Sequence, residues 1–247
     1  MSMRFNPVTL ITGAASGIGA ACAINLARRS QGGLLLVDED ESAIAALADD
    51  LDTQNLAPER VSTLAFDVAD ADRWAQAIEF IKGQYGRIDW AVINTVSKPA
   101  PETDLVSFGA AASGLEGAAV SLKALIPILR VNVQGGAAVV TASSAAIKAG
   151  AALLQLVRAA AREGGVDVRV NAIAPMVADA PLWSNLPWLH ELVPGDERAA
   201  LEKVSELDPP AARFAGADQV ARLIALFLGE DTHSSGATLV VDGVATI

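Results

Sequence analysis

The residue types that could do chemistry gather first in one glycine-rich run. Thr12, Gly13, Ala14, Ala15, Ser16, Gly17, Ile18 and Gly19 stand between a short apolar stretch and an amphipathic one. Gly13 permits a tight turn, Gly17 lets the backbone approach a diphosphate, and Gly19 lets a helix pack closely on the preceding strand. With Ser16 and Ile18 they set free N–H groups at a helix start, where the helix dipole favours phosphate charge. A glycine pattern alone is weak evidence. Here it has a strand before it, a helix after it, and an acid roughly twenty residues further on, as a dinucleotide site requires.

That acid is Asp38, at the end of the second apolar run. A carboxylate there accepts hydrogen bonds from both ribose hydroxyls of NAD and repels the 2′-phosphate of NADP. Glu39 and Asp40 add to the repulsion, so NAD is the cofactor expected. The other reading of Asp38 is a cap for the next helix. Asp67 and Val68 close the third apolar run. Asp67 could accept a bond from the adenine amino group while Val68 packs near the ring, and Asp67 too could instead be a helix cap.

Metal chemistry is not expected, because one cysteine and two separated histidines offer no zinc-ligand spacing. Cys22 lies in an apolar helical run and reads as a small buried thiol. A net charge of −11 leaves no electrostatic footprint for nucleic acid or an anionic membrane. No window approaches the roughly 18 consecutive apolar residues of a membrane span, and residues 1–7 do not read as a signal peptide. A soluble, cytoplasmic protein acting on a small molecule is the expectation.

The elements that must position these residues alternate regularly. Apolar runs at 8–12, 34–37, 61–66, 88–94, 137–142, 168–173 and 238–241 read as strands. Helical patterns at 17–29, 42–51, 70–84, 109–129, 145–163 and 216–228 lie between them, with a lid-like segment at about 177–208. Strands apolar throughout are buried on both faces. The fold class is therefore α/β, a Rossmann-type doubly wound, seven-stranded parallel sheet with helices on both faces and its ligand at the carboxyl ends of the strands. No internal repeat or linker divides the 247 residues, of which 52% are hydrophobic, so one domain is expected.

Together these residues resemble the short-chain dehydrogenase/reductase family, over nearly the whole chain from about Val8 to Gly243. The turn at 12–19, the Asp67 and Val68 pair, Gly86 to Asp89 before the fourth strand, Arg169 to Pro175 in the sixth and Arg213 to Gly243 at the end match its motifs. The resemblance implies hydride transfer between NAD and a hydroxyl or carbonyl substrate, and adds Asn94 and Pro175 to the cofactor-binding residues. It also implies that the Ala-rich helices at 109–129 and 145–163 pair with a second copy, as a homodimer or homotetramer. The family's chemistry uses an Asn, Ser, Tyr, Lys set, in which the Tyr exchanges a proton with the substrate and the Lys lowers its pKa. Only the serine survives, as Ser144 with Ser143 beside it. Ala146 and Gly150 stand at the Tyr and Lys positions, Gly114 at the Asn position, and roughly ten residues are missing after Ser144 relative to the family pattern. Erosion continues on the nicotinamide side, where Val96, Met176 and Ala180 replace a glycine, a glycine and a threonine.

Replacements for the proton donor have plain alternatives. Lys148 could reach the ribose or simply face solvent. His190 titrates in a useful range but has no partner visible in the sequence, and Asp179 could be a turn residue. His233 falls in a connection that structure explains. Two readings stay open: an NAD-dependent oxidoreductase with weak or absent family-type activity, and an NAD-binding pseudoenzyme or structural subunit without redox turnover.

Overall fold

A computed structural model describes residues 6–95, 105–132, 135–141, 152–175, 199, 215–229 and 232–242, with the side chains of 105–113 excepted. Its centre is a seven-stranded parallel sheet. The strands are β1 (Thr9–Thr12), β2 (Leu34–Asp38), β3 (Val61–Ala65), β4 (Trp90–Ile93), β5 (Gly136–Thr141), β6 (Val168–Pro175) and β7 (Thr238–Val241). Their order is β3-β2-β1-β4-β5-β6-β7. Leu10 sits between Leu35 of β2 and Ala91 of β4, and β1 and β5 are buried along their whole length. This is the doubly wound sheet the apolar runs called for.

The helices are α1 (Gly17–Arg29), α2 (Glu41–Thr53), α3 (Ala71–Gln84), α4 (Leu105–Arg130), α5 (Ala152–Gly164) and α6 (Ala217–Leu228). One face of the sheet is covered by α3, α4 and α5 through Trp74, Ile81, Leu122, Leu129 and Val157. The other is covered by α1, α2 and α6 through Cys22, Leu26, Ile44, Ile224 and Leu228. Two caps show why the helices begin where they do. Asp40 Oδ1 accepts the Ala43 N–H at 3.0 Å, and Asp70 Oδ1 accepts those of Asp72 and Arg73 at 2.9 and 3.1 Å. Each fills donors that a first helical turn leaves unpaired.

Some boundaries differ from the sequence pattern. β6 extends to Pro175, which pairs with Val241 of β7; a proline is tolerated at a strand end, where few ladder bonds remain. α4 starts four residues before the expected 109, continuing the same apolar helical pattern. α5 is described only from Ala152, so the start expected at 145 lies outside the described residues, as does the 177–208 segment except Ala199. No helix among the described residues is long and apolar enough to cross a membrane.

Arg169 and Asn171 belong to this scaffold. The Arg169 guanidinium donates to the carbonyls of Phe227, Leu228 and Gly229, closing the end of α6, and to Thr232 Oγ1. A cation at a helix carboxyl end is well placed. The fully buried Asn171 donates to the Ser234 carbonyl at 2.7 Å and accepts from the Ala237 N–H at 3.1 Å. The exposed His233 rides on the connection they hold.

Candidate functional site

Strand order reverses between β1 and β4, which opens a crevice at their carboxyl ends. The turn after β1 lines it. Gly13 has φ +60°, and a Cβ there would stand 2.2 Å from the Asn94 carbonyl oxygen. Gly17 has φ +54°, a left-handed conformation that glycine adopts freely. A Cβ on Gly19 would stand 1.9 Å from the Gly13 carbonyl oxygen, so α1 rests directly on the turn. Ser16 is the first flanking residue of α1, in extended backbone, and its hydroxyl makes no cap bond. The N–H groups of Gly17, Ile18 and Gly19 belong to the first turn, where no intrahelical acceptor exists. The turn thus presents a hydroxyl and several N–H donors to an anion.

The turn is held from the sheet side by a small polar network. The Asn94 N–H donates to Thr12 Oγ1 at 3.0 Å. Its side-chain amide donates to the Gly13 carbonyl at 3.2 Å and accepts from Thr141 Oγ1 at 2.7 Å. Thr12, Asn94 and Thr141 are all buried, and they tie together the ends of β1, β4 and β5. Asn94, expected among the cofactor contacts, is thus joined to the site through the turn. The sequence reading placed Thr12 in the turn but missed the role of its hydroxyl, and it missed Thr141. The available signal was a hydroxyl residue closing an apolar strand, twice.

Asp38 closes β2 beside the turn. Its Oδ2 accepts the Ala15 N–H at 3.0 Å and its Oδ1 accepts that of Asp40 at 3.2 Å. The cap of α2 is Asp40, so the capping reading of Asp38 does not hold. Each carboxylate oxygen keeps further acceptor capacity. The carboxyl of Asp40 is held below its usual range by the Ala43 N–H and then by the Ser42 hydroxyl, and Glu39 beside it is exposed. At the end of β3, Asp67 is exposed and accepts the Ala69 N–H at 2.8 Å. The cap of α3 is Asp70, not Asp67. Val68 is half-buried, and its carbonyl accepts the Trp74 indole N–H at 2.9 Å. The crevice therefore has an anion-favouring turn with a carboxylate rim along the ends of β2 and β3.

Other residues fall elsewhere. Pro175 is at the carboxyl end of β6, the same edge as the turn. Gly114, at the position the resemblance gives to Asn, is buried in α4. Cys22 is buried in α1, and burial pushes its thiol up to about 12, which removes it from nucleophilic chemistry. Ser143, Ser144, Ala146, Lys148, Gly150, Val96, Met176, Asp179, Ala180 and His190 lie outside the described residues.

A parallel sheet with this order and a glycine turn at its switch point defines a dinucleotide-binding Rossmann fold. A family model described as enoyl-(acyl carrier protein) reductase matches residues 13–245. The chain belongs to the short-chain dehydrogenase/reductase family of oxidoreductases. It is 34% identical to D-threitol dehydrogenase of Mycolicibacterium smegmatis, over 97% of this chain and 93% of that one. The structure of L-sorbose reductase from Gluconobacter frateurii, complexed with NADPH and L-sorbose, superposes with a TM-score of 0.85 at 26% identity, covering 98% and 97% of the two chains. Carveol dehydrogenase from Mycobacterium avium, in complex with NAD, shares the fold at a TM-score of 0.83 and 22% identity, covering 99% of each chain.

Proposed function

We propose that the chain binds NAD(H) in the crevice between β1 and β4 and carries out family-type hydride transfer weakly or not at all. The turn at 12–19 would hold the diphosphate, Asp38 the adenosine ribose, and Asp67 and Val68 the adenine. The residues present fit that group: Gly13 and Gly19 keep the turn clear of side chains, and Asp38 retains acceptor capacity beside it. Bound NAD supplies a hydride acceptor. Thr12, Asn94 and Thr141 set the turn, and Asp38, Glu39 and Asp40 disfavour a 2′-phosphate, so NAD is preferred to NADP.

The placement of Tyr85, the only tyrosine in the chain, carries the second half of the proposal. Its hydroxyl donates to Ser62 Oγ at 2.7 Å, and its ring edge lies 2.5 Å from where a Cβ on Gly33 would stand. Both contacts are at the amino ends of β2 and β3. Asp38 and Gly13 are at the carboxyl ends, and the length of β2 separates the two by roughly 13 Å at about 3.3 Å per residue. The one phenol thus stands on the wrong edge of the sheet to serve as acid or base. Ala146, Gly150 and Gly114 supply neither a phenol, an ammonium nor an amide, and loss of a general acid costs about 10²–10⁴ in rate. Ser144 would remain as a substrate contact. The small-residue helices α4 and α5 would pair with a second copy, giving a homodimer or homotetramer.

Titration of the full chain with NADH and NADPH, followed by turnover assays with NAD and D-threitol or a simple secondary alcohol, tests this. NADH should bind more tightly than NADPH, and Asp38→Asn should weaken NADH by about 10–100-fold, the range of a charge-assisted bond. Equal affinity for the two cofactors would remove Asp38 from its role. Brisk NAD-linked turnover would refute the weak-activity half.

A further inference from the structure

The exits of β3 and β4 meet α4 at one glycine. Gly117 is buried, and Ser121 Oγ donates to its carbonyl at 2.7 Å. A Cβ on Gly117 would stand 3.1 Å from Val68 Cγ2 and 3.3 Å from Thr95 Cγ2. Both separations are tighter than ordinary van der Waals contact. Both neighbours are β-branched, so turning about χ1 gives little relief. The backbone of Val68 is also held from behind. Its carbonyl accepts the indole N–H of the buried Trp74 at 2.9 Å, and the Trp74 ring packs edge-on against Phe66 with centroids 5.2 Å apart. An added carbon at 117 must therefore displace the two methyl groups themselves.

We propose that Gly117 is a positioning residue for adenine recognition: its missing side chain lets the Val68 and Thr95 methyls stand where they wall the adenine end of the crevice. The proposal rests on the reading of Val68 as an adenine contact. A glycine costs an interior helix stability relative to alanine, and close packing against these two methyls gives a physical reason for bearing that cost.

The experiment is calorimetric titration of the full chain with AMP, NADH and inorganic pyrophosphate. Gly117→Ala should weaken AMP and NADH by roughly tenfold, the lower part of the range for overpacking by one carbon, and leave pyrophosphate at the turn unchanged. In a Val68→Ala, Thr95→Ser background, which removes both methyls, the same substitution should change NADH affinity by less than about twofold, as uncoupled groups do. Alanine's helix preference offsets the crowding in the fold, so the variant is expected to remain folded at the titration temperature. Equal AMP affinity in the wild type and Gly117→Ala overturns the proposal. So does an equal loss in both backgrounds, or a parallel loss of pyrophosphate. A wild type that binds neither AMP nor NADH overturns this proposal and the NAD reading together, whereas wild-type binding with an indifferent Gly117→Ala overturns this one alone.

Discussion

Gly19→Ala is the sharpest test of the turn. The new Cβ would lie 1.9 Å from the Gly13 oxygen, 2.7 Å from its carbonyl carbon and 3.0 Å from Ala14 Cα. All three are backbone atoms, so no side chain can swing aside. Reaching ordinary contact at 3.4 Å requires about 1.5 Å of separation between α1 and the turn. The Gly13 carbonyl is held by the Asn94 amide, and α1 is anchored in the core by Cys22, Ala23, Leu26 and Ala27. Neither side can move without loosening packing. Overpacking of this kind costs about 1–3 kcal/mol or more, and the alanine returns up to about 1 kcal/mol of helix propensity. A net loss of about 2 kcal/mol lowers the melting temperature of a chain this size by roughly 4–8 °C. Displacing the first-turn N–H groups by more than an ångström should also weaken NADH by at least about tenfold, the loss of one charge-assisted bond. Thermal melts and NADH titration on the same preparation read both effects. Wild-type melting together with wild-type affinity would refute the packing argument. Lowered melting with unchanged affinity would separate the turn from the phosphate.

Two further substitutions probe groups away from the turn. Tyr85→Phe removes the 2.7 Å bond to Ser62 and should cost about 1 kcal/mol in denaturant melts, with NADH affinity and any NAD-linked turnover unaltered; a loss of turnover would put Tyr85 in the proton path after all. Asp89 is buried, and burial raises its carboxyl above the usual range despite the Val8 N–H and Arg87, which act the other way. The folded state therefore holds this proton more tightly than the unfolded chain, and stability contributed at low pH is lost as pH rises through the raised pKa. Asp89→Asn does not titrate, so its melting temperature relative to wild type should climb as pH rises above about 4, the ordinary carboxylate value, and a flat or falling difference would contradict that sign.

Sheet and helix faces were legible in the sequence because strands buried on both sides must be apolar throughout. β1 and β5 satisfy this along their whole length. Asp70, just before its amphipathic run, caps α3 as such an aspartate should, whereas the cap considered for α2 was Asp38 and Asp40 takes that place. The hydroxyl network was not legible. Thr12 read as the start of the turn and Thr141 as a β-branched strand residue, and nothing in their spacing reveals that Asn94 joins them, because hydrogen-bond partners 47 and 82 residues apart in the chain are made by strand order. Asn94 itself was visible as a residue of interest, but its partners were not. The same limit hid Gly117, which in the sequence is only a poor helix former; its neighbours Val68 and Thr95 come from two other strand exits.

In the proposed reading, two glycines of α4 separate what cofactor binding would need from what catalysis would need. Gly114 and Gly117 are both buried, and a spacing of three puts them on one helix face. At 117 the absent side chain leaves room for Val68 and Thr95, so in the proposed reading the small residue would support the adenine end of the crevice. At 114 the absent side chain is, by the resemblance, a missing amide, and in the proposed reading the small residue would withdraw a hydrogen-bonding group from the reacting end. One residue type on one face would thus have opposite consequences at its two positions. The proposed binding would depend on backbone donors, glycines and Asp38, all of which this fold places at the carboxyl edge of β1 and β2. Proton transfer depends on side chains that must be present as well as positioned, and the only phenol in the chain is committed to Ser62 at the opposite edge.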